Sequence, residues 1–208
     1  MIQPSKEMLA PNKEVNGTLL HQRYNEKITN KEVTLEAKDV VGSFMGCYFK
    51  DCVIRIKCSA QYTIHMTNEC RFDNCLIWAH TKQSGGNWKA WFTDCSFKGW
   101  YELRFENEII SCDFSEAKVE YVHFLENTDR NNLKGLYYPV VTIKEINKHY
   151  EEWEKAPKPR DYTDLVWTSK RNGGLIAMDL NAVTKEPHTL WQAVEPLDFV
   201  STQYKSQD

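Results

Sequence analysis

No stretch of the chain reaches transmembrane length without charge, and the opening residues Met1-Ile2-Gln3-Pro4-Ser5-Lys6-Glu7 lack the apolar run of a secretory leader. A chain with neither is expected in the cytoplasm, off the membrane, with its thiols reduced. Nor does one sign of charge dominate. The 26 basic and 29 acidic residues leave a net charge of −3, which excludes a globally basic nucleic-acid binder. There is no Gly-x-Ser-x-Gly elbow, Walker loop or dinucleotide fingerprint, and Gly85-Gly86 is too short a cue for a phosphate cradle. The histidines, His21, His65, His80, His123, His149 and His188, share no metal-ligand spacing, and His123, between Val122 and Phe124, is expected to face outward. No cofactor and no metal are expected.

What the chain does have is an internal repeat. Four of its seven cysteines open one phrase: Cys47-x-Phe49-x-x-Cys52, Cys70-x-Phe72-x-x-Cys75, Cys95-x-Phe97-x-x-Trp100 and Cys112-x-Phe114-x-x-Ala117. With nine Phe in 208 residues, chance would place Phe two after Cys about 0.3 times. Successive copies lie 23, 25 and 17 residues apart, the length of one solenoid coil. Within a phrase small and large apolar residues alternate at two-residue spacing and the frame resets after five, which is strand and corner, not helix.

The five-residue frame extends to Gly42-x-Phe44, Ala90-x-Phe92, Asn107-x-Ile109, Ala117-x-Val119 and Val122-x-Phe124. Over about residues 42 to 124 the chain therefore resembles the pentapeptide-repeat proteins. The resemblance implies a right-handed parallel β-helix with the small residue and the Phe facing inward. Breaks at Lys57 to Met66 and Ala79 to Lys89 predict loops that protrude from the coils. Parallel coils stack about 4.8 Å apart, so like side chains pile into internal columns, and a thiol beside a phenyl ring fills a narrow interior.

The pairs Cys47-x4-Cys52 and Cys70-x4-Cys75 have the count of a tetrahedral zinc site. In the later copies Trp100 and Ala117 replace the second cysteine while the Phe persists, so the position is read as apolar filling. Cys58 stands outside the pattern and is expected to be the most exposed thiol. Asp51, Asp73 and Asp94 suggest an acidic row on one face, able in principle to cleave a glycosidic bond, but Asp at coil corners is what turns require.

The expected fold is mainly β: a single-stranded right-handed parallel β-helix with an N-terminal lead-in or cap (1–30), a body (31–130) and a small α+β C-terminal cap (131–208). Within the cap Tyr137 to Ile143 reads as a strand, 144–156 as an amphipathic helix, and 164–178 as a hairpin around Asn172-Gly173-Gly174. Trp153, Trp167 and Trp191 are expected to form its core.

Residues 101 to 129 carry eight acids against two bases, a local balance of 2 − 8 = −6. Trp78, Trp88, Trp91, Trp100 and Tyr101 crowd the longest break, with Trp91 pointing out and Trp100 in. The expected function is a non-catalytic binding protein that presents a rigid, partly acidic and aromatic solenoid face to a protein partner, in the manner of an inhibitor, an immunity protein or a phage antagonist. The partner would be basic, such as a nucleic-acid-binding protein, and direct nucleic-acid binding is not expected. The candidate contact residues are Trp88, Trp91, Tyr101, Glu106, Glu116 and Glu120. The alternative is a carbohydrate-binding or carbohydrate-cleaving β-helix.

Overall fold

A computed structural model describes residues 13–15, 18–35, 40–63, 67–125 and 128–203. Residues 1–12, 16 and 17 of the expected lead-in, with His65 and Glu126, lie outside the described residues. The body is a parallel β-solenoid of about 5 turns. One wall is a sheet of very short strands, Lys27–Thr29, Tyr48–Lys50, Arg71–Asp73, Trp91–Thr93 and Ile109–Ile110, all parallel. The facing wall carries Glu32–Leu35, Val53–Ile56, Leu76–Trp88, Ser96–Phe105 and Cys112–Phe124, again parallel. In the first two coils Thr18–Tyr24 and Val40–Met45 add a third wall, edged by the antiparallel strand Lys13–Val15.

The five-residue frame has a backbone cause. Each short strand is followed by a residue in the left-handed region, Asn30 (φ 54°), Asp51 (53°), Asn74 (50°), Asp94 (52°) or Ser111 (52°), and the first three are also preceded by one, Asn25 (54°), Gly46 (64°) or Glu69 (55°). Asn, Asp and Gly enter that region at least cost, which is why they punctuate the sequence five residues apart. The corner amides keep the ladder unbroken, as when Asp51 N–H donates to the Asp73 carbonyl at 3.0 Å and Asn74 N–H to that of Thr93 at 2.9 Å.

Inside, the columns form as the repeat requires. Phe49, Phe72 and Phe92 stack nearly parallel at 4.8 and 5.0 Å, and Phe97 and Phe114 at 4.5 Å. Beside them Cys52, Cys75, Cys95 and Cys112 are buried, and each thiol donates to a carbonyl of the preceding coil: Ile28, Phe49, Phe72 and Phe92, at 3.4 to 3.7 Å. Cysteine thus serves as a small apolar residue that also satisfies a buried acceptor. Burial keeps the Cys95 thiol well above its ordinary pKa, so that thiol is chemically quiet.

Two expectations for the body are corrected, and the turn reading of the aspartates holds for two of the three. Cys58 is buried, not exposed; its carbonyl is held by Gln83 Nε2 at 2.9 Å and Thr81 Oγ1 at 2.8 Å, which ties down the excursion that includes the short helix Ala60–Thr63. The second break, Ala79 to Lys89, is no loop. It continues the strand Leu76–Trp88, and the lost frame reflects register shifts against Ser96–Phe105. Asp51 and Asp94 are corner residues in one column with Asn74, whose side chain bonds Asp51 at 2.6 Å, whereas Asp73 sits on a strand; they make no single row of carboxylates.

The C-terminal region adds to the edge of the long-stranded wall. Leu175–Asp179 pairs antiparallel with Tyr121 to Phe124, and Val140–Lys144 and Val200–Thr202 follow. Ile146–Lys155 forms the helix expected over 144–156 and closes, with Pro187–Val194, a second core around Trp153, Met178, Leu190 and Val194. The hairpin expected over 164–178 is absent. Asp164 Oδ1 accepts from Trp167 N–H at 3.1 Å and winds Val166–Ser169 into a 3₁₀ turn, a side-chain bond that outcompetes a two-strand ladder. Trp153 and Trp191 are buried as expected, but Trp167 is 56% exposed, with Lys170 over its ring at 4.9 Å.

A Phe column loses contacts on both faces when one ring is removed. Phe72→Ala is expected to cost about 3–5 kcal/mol, read by urea denaturation, against less than about 0.5 kcal/mol for the exposed Tyr24→Ala.

Candidate functional site

The outer surface of the long-stranded wall is ordered from coil to coil as the interior is. Register places Lys98 beside both Trp78 and Glu116, and Trp100 beside Lys118. Two half-buried indoles result, each gripped by two cations. The Arg55 guanidinium lies 4.4 Å and Lys98 Nζ 5.0 Å from the Trp78 ring centre; Lys82 Nζ lies 4.8 Å and Lys118 Nζ 3.9 Å from that of Trp100. The same cations are paired. Lys82 Nζ sits 2.5 Å from both Glu102 and Glu120, Lys98 2.5 Å from Glu116, Lys118 3.5 Å from Glu120, and Arg55 2.7 Å from Glu32.

Lys82 is the hub of this lattice. Hydrogen bonds to Glu102 and Glu120 raise its pKa, and Glu120, which burial alone would raise, is held below the usual carboxylate range by Lys82 and Lys118. The acidity counted along residues 101–129 is therefore offset across coils by Lys82, Lys89 and Lys98, and the face is mixed in charge. Single exposed pairs contribute about 0–1 kcal/mol, but a shared network also fixes side-chain geometry.

The residues expected to make contact fall into three places. Trp88 and Tyr101 are both fully buried and leave the surface: Trp88 packs edge-on against Tyr101 and Phe105 at 6.0 and 5.6 Å, and the Tyr101 hydroxyl donates to the Ile77 carbonyl at 2.8 Å. The strand Ser96–Phe105 runs on past the expected corner with its two-residue alternation unbroken, so Phe97, Tyr101, Leu103 and Phe105 point in and Trp100, expected in the core, turns out. Gly99, at φ +104°, lets the strand pass the Ala79 carbonyl oxygen, which would stand 1.8 Å from a Cβ there. Glu116 and Glu120 join the Trp78–Trp100 lattice, and Glu106 lies at the far end of the same wall, 3.6 Å from Lys89 and 2.7 Å from Asn87. Trp91 does point outward, but from the short-stranded wall, where Arg71 covers its ring at 5.3 Å. Lys82, near the aromatic cluster in sequence, joins it as expected, whereas Arg55 and Lys118 were missed; stacking the coils in register would have revealed them, since each lies one coil from the indole it covers.

The short-stranded wall carries a groove of about 420 Å³ lined by Tyr48, Arg71, Asp73, Trp91 and Glu108. The Tyr48 hydroxyl donates to Asp73 at 2.7 Å, and Lys50 stands 3.8 Å from the same carboxylate.

At the C-terminal junction His123 faces as expected but is not on the surface. It points out of the coil, yet it is fully buried, because the C-terminal region covers it. A carbonyl can only accept, so His123 Nε2–H donates to Gly173 at 2.9 Å, which leaves Nδ1 to accept from the Ser169 hydroxyl at 2.8 Å; Ser169 in turn accepts from the Tyr121 hydroxyl at 2.7 Å. This Ser–His pair has no open side for a substrate, since Ser169 is fully buried too. It pins the 169–173 segment to the last coil.

Comparison with protein-family models, with curated proteins and with solved structures finds no match to the chain.

Burial, with Arg104 adding to it, lowers the His123 pKa against the bond to Gly173. The unfolded chain then binds this proton more readily than the folded one, so the stability is present above pH of about 6.5 and falls as pH drops below it, by at most about 1.4 kcal/mol per unit. Urea denaturation from pH 7.5 to 5 is expected to show that slope for the wild type and a flatter one for His123→Gln.

Proposed function

We propose that the protein is a non-catalytic binding scaffold whose long-stranded wall docks a protein partner, in the manner of an inhibitor, an immunity protein or a phage antagonist. The observation that supports this reading is the pair of half-exposed indoles, Trp78 and Trp100, held rigid in a cation–carboxylate lattice on a solvent face. Tryptophan and arginine in fixed geometry are what binding hot spots use, because little side-chain entropy is left to lose on association. A partner with a basic surface, such as a nucleic-acid-binding protein, would exchange its own cations for Lys98 and Lys118 at Glu116 and Glu120. Direct nucleic-acid binding is disfavoured, since phosphates arriving at these lysines would meet Glu102, Glu116 and Glu120.

A second reading rests on the other wall. Trp91 and Tyr48 with Asp73 and Glu108 around one groove suit a sugar ring, stacked on an aromatic face and hydrogen-bonded by carboxylates. Arg71 already occupies the Trp91 face, which favours the first reading.

Affinity capture from the source organism, repeated with variants, separates the two. The docking reading expects one stoichiometric protein partner, weakened by about tenfold or more in Trp100→Ala and in Glu116→Lys/Glu120→Lys and retained by Trp91→Ala. Glycan-array binding abolished by Trp91→Ala, with no partner captured, would replace it with the sugar reading. Circular dichroism of each variant checks that the fold is intact.

A further inference from the structure

The interior of the solenoid does not end where its coils end. Residues paired across a sheet point to the same face, so the register carries the interior column outward: Val122 pairs with Ala177, Ala177 with Thr142, and Thr142 with Ser201, while Phe124 pairs with Leu175 and Leu175 with Lys144. The face that lies against Phe rings within the coils thus continues past the last coil as Thr142, Ser201 and Lys144. Apolar filling stops and polar filling begins.

These residues form one side of a cavity of about 430 Å³, and the Thr128–Arg130 segment forms another. Two features there are unsatisfied. Thr128 is only 7% exposed and its hydroxyl has no hydrogen-bond partner, an arrangement that costs stability unless something else supplies the bond. Arg130 is half-buried; burial lowers its pKa, and among the described residues neither a carboxylate nor a hydrogen bond holds its guanidinium. A partly desolvated guanidinium without a counter-charge is an incomplete ion pair. Of the acids that line the cavity, Glu145 is bonded to Lys148 and Asp129 is turned to the Asn131 N–H at 2.9 Å, and among the described residues neither makes an ion pair with Arg130. Asp198 is the third, and its charge favours a small, singly charged ligand over a polyanion.

We propose that this cavity at the open end of the solenoid interior is a binding site for a small oxyanion, a carboxylate or a phosphate group, held by the Arg130 guanidinium with Lys144 and the Thr128 hydroxyl. A forked guanidinium with a neighbouring hydroxyl donor supplies the planar set of hydrogen bonds that such a group accepts. The site is independent of the outer wall assigned to partner docking and is separated from it by the sheet.

Isothermal titration of the full chain with acetate and with inorganic phosphate, in low-salt buffer at pH 6 where phosphate is mainly singly charged, tests the assignment. The expected result is one saturable site for at least one of the two probes, with the arm that binds defining the ligand's class. Affinity should fall by about tenfold or more in Arg130→Gln and by a few-fold in Thr128→Val, while Arg104→Gln, remote from the cavity, leaves it unchanged. Thr128→Val should at the same time raise the melting temperature of the ligand-free protein, because it removes an unsatisfied hydroxyl, so weakened binding cannot be mistaken for damage to the fold. No saturable binding of either probe up to about 10 mM, or binding that Arg130→Gln leaves intact, overturns the proposal.

Discussion

Everything in this molecule depends on each coil lying in register on the one before it. Parallel ladders fix the rise between coils at about 4.8 Å, and within that rise a side chain has one neighbour above and one below. The register is set at the corners. Asn30, Asp51, Asn74, Asp94 and Ser111 occupy the same left-handed conformation in successive coils, and the amides of the first four bond to the following coil. A corner that moved by one residue would turn every side chain on the following strand to the opposite face. Phenyl rings at 4.5 to 5.0 Å and thiols bonded to carbonyls of the preceding coil are the consequence of that corner geometry, and they reward it with burial.

The same constraint acts outside, where it determines what the surface can be. Outward residues also stack, so Trp78 meets Lys98, Trp100 meets Lys118, and Lys82 bridges Glu102 and Glu120. Charge on such a wall must be summed across coils. A stretch that reads as strongly acidic along the chain becomes mixed once Lys82, Lys89 and Lys98 are placed beside it, and the binding character shifts from a charged patch to a patterned aromatic one. The carboxylates also orient the lysines over the indoles, and a preoriented cation and ring lose less entropy on contact than free ones.

The repeat body was legible because its signal is local: a cysteine, a Phe two later and a corner residue report one backbone motif wherever they occur. Ala90 and Phe92, Val122 and Phe124 followed from the frame alone. What escaped was set by contacts the frame does not contain. Trp100 and Tyr101 face opposite to the frame because Ser96–Phe105 continues as one strand of period two where the frame would turn a corner. Cys58 is buried by Gln83, 25 residues away, and His123 by a segment 50 residues away. The hairpin expected around Gly173-Gly174 failed because Asp164 commits its neighbours to a 3₁₀ turn while Leu175–Asp179 finds better pairing on either side, with Tyr121 to Phe124 and with Val140–Lys144. Of the candidate contact residues, Glu116 and Glu120 were placed outward by the five-residue frame; Trp88 and Tyr101 were not placed inward, since the strands Leu76–Trp88 and Ser96–Phe105 run on where that frame expects corners.

Coil-on-coil stacking has no natural end, and the way it ends here accounts for the polar chamber. A sixth parallel coil would expose the same unpaired edge and the same apolar column as the fifth. The chain begins such a coil, pairing Leu133–Lys134 with Cys112 and Asp113, and then abandons it. Antiparallel strands from the C-terminal region take over the long-stranded wall, and their hydrogen bonds satisfy its edge without supplying a facing short wall. An apolar column continued onto those strands would stand open to water. Placing Thr142, Ser201 and Lys144 at the continuing positions removes that cost, and it also leaves a polar space at the mouth of a hydrophobic interior. The helices that complete the second core lie on the opposite face of the same strands, where Val141, Ile143, Ile176 and Met178 are buried among Trp153, Leu190 and Val194. One set of strands therefore terminates the solenoid on one face and builds a new core on the other, and the chamber follows from requiring both.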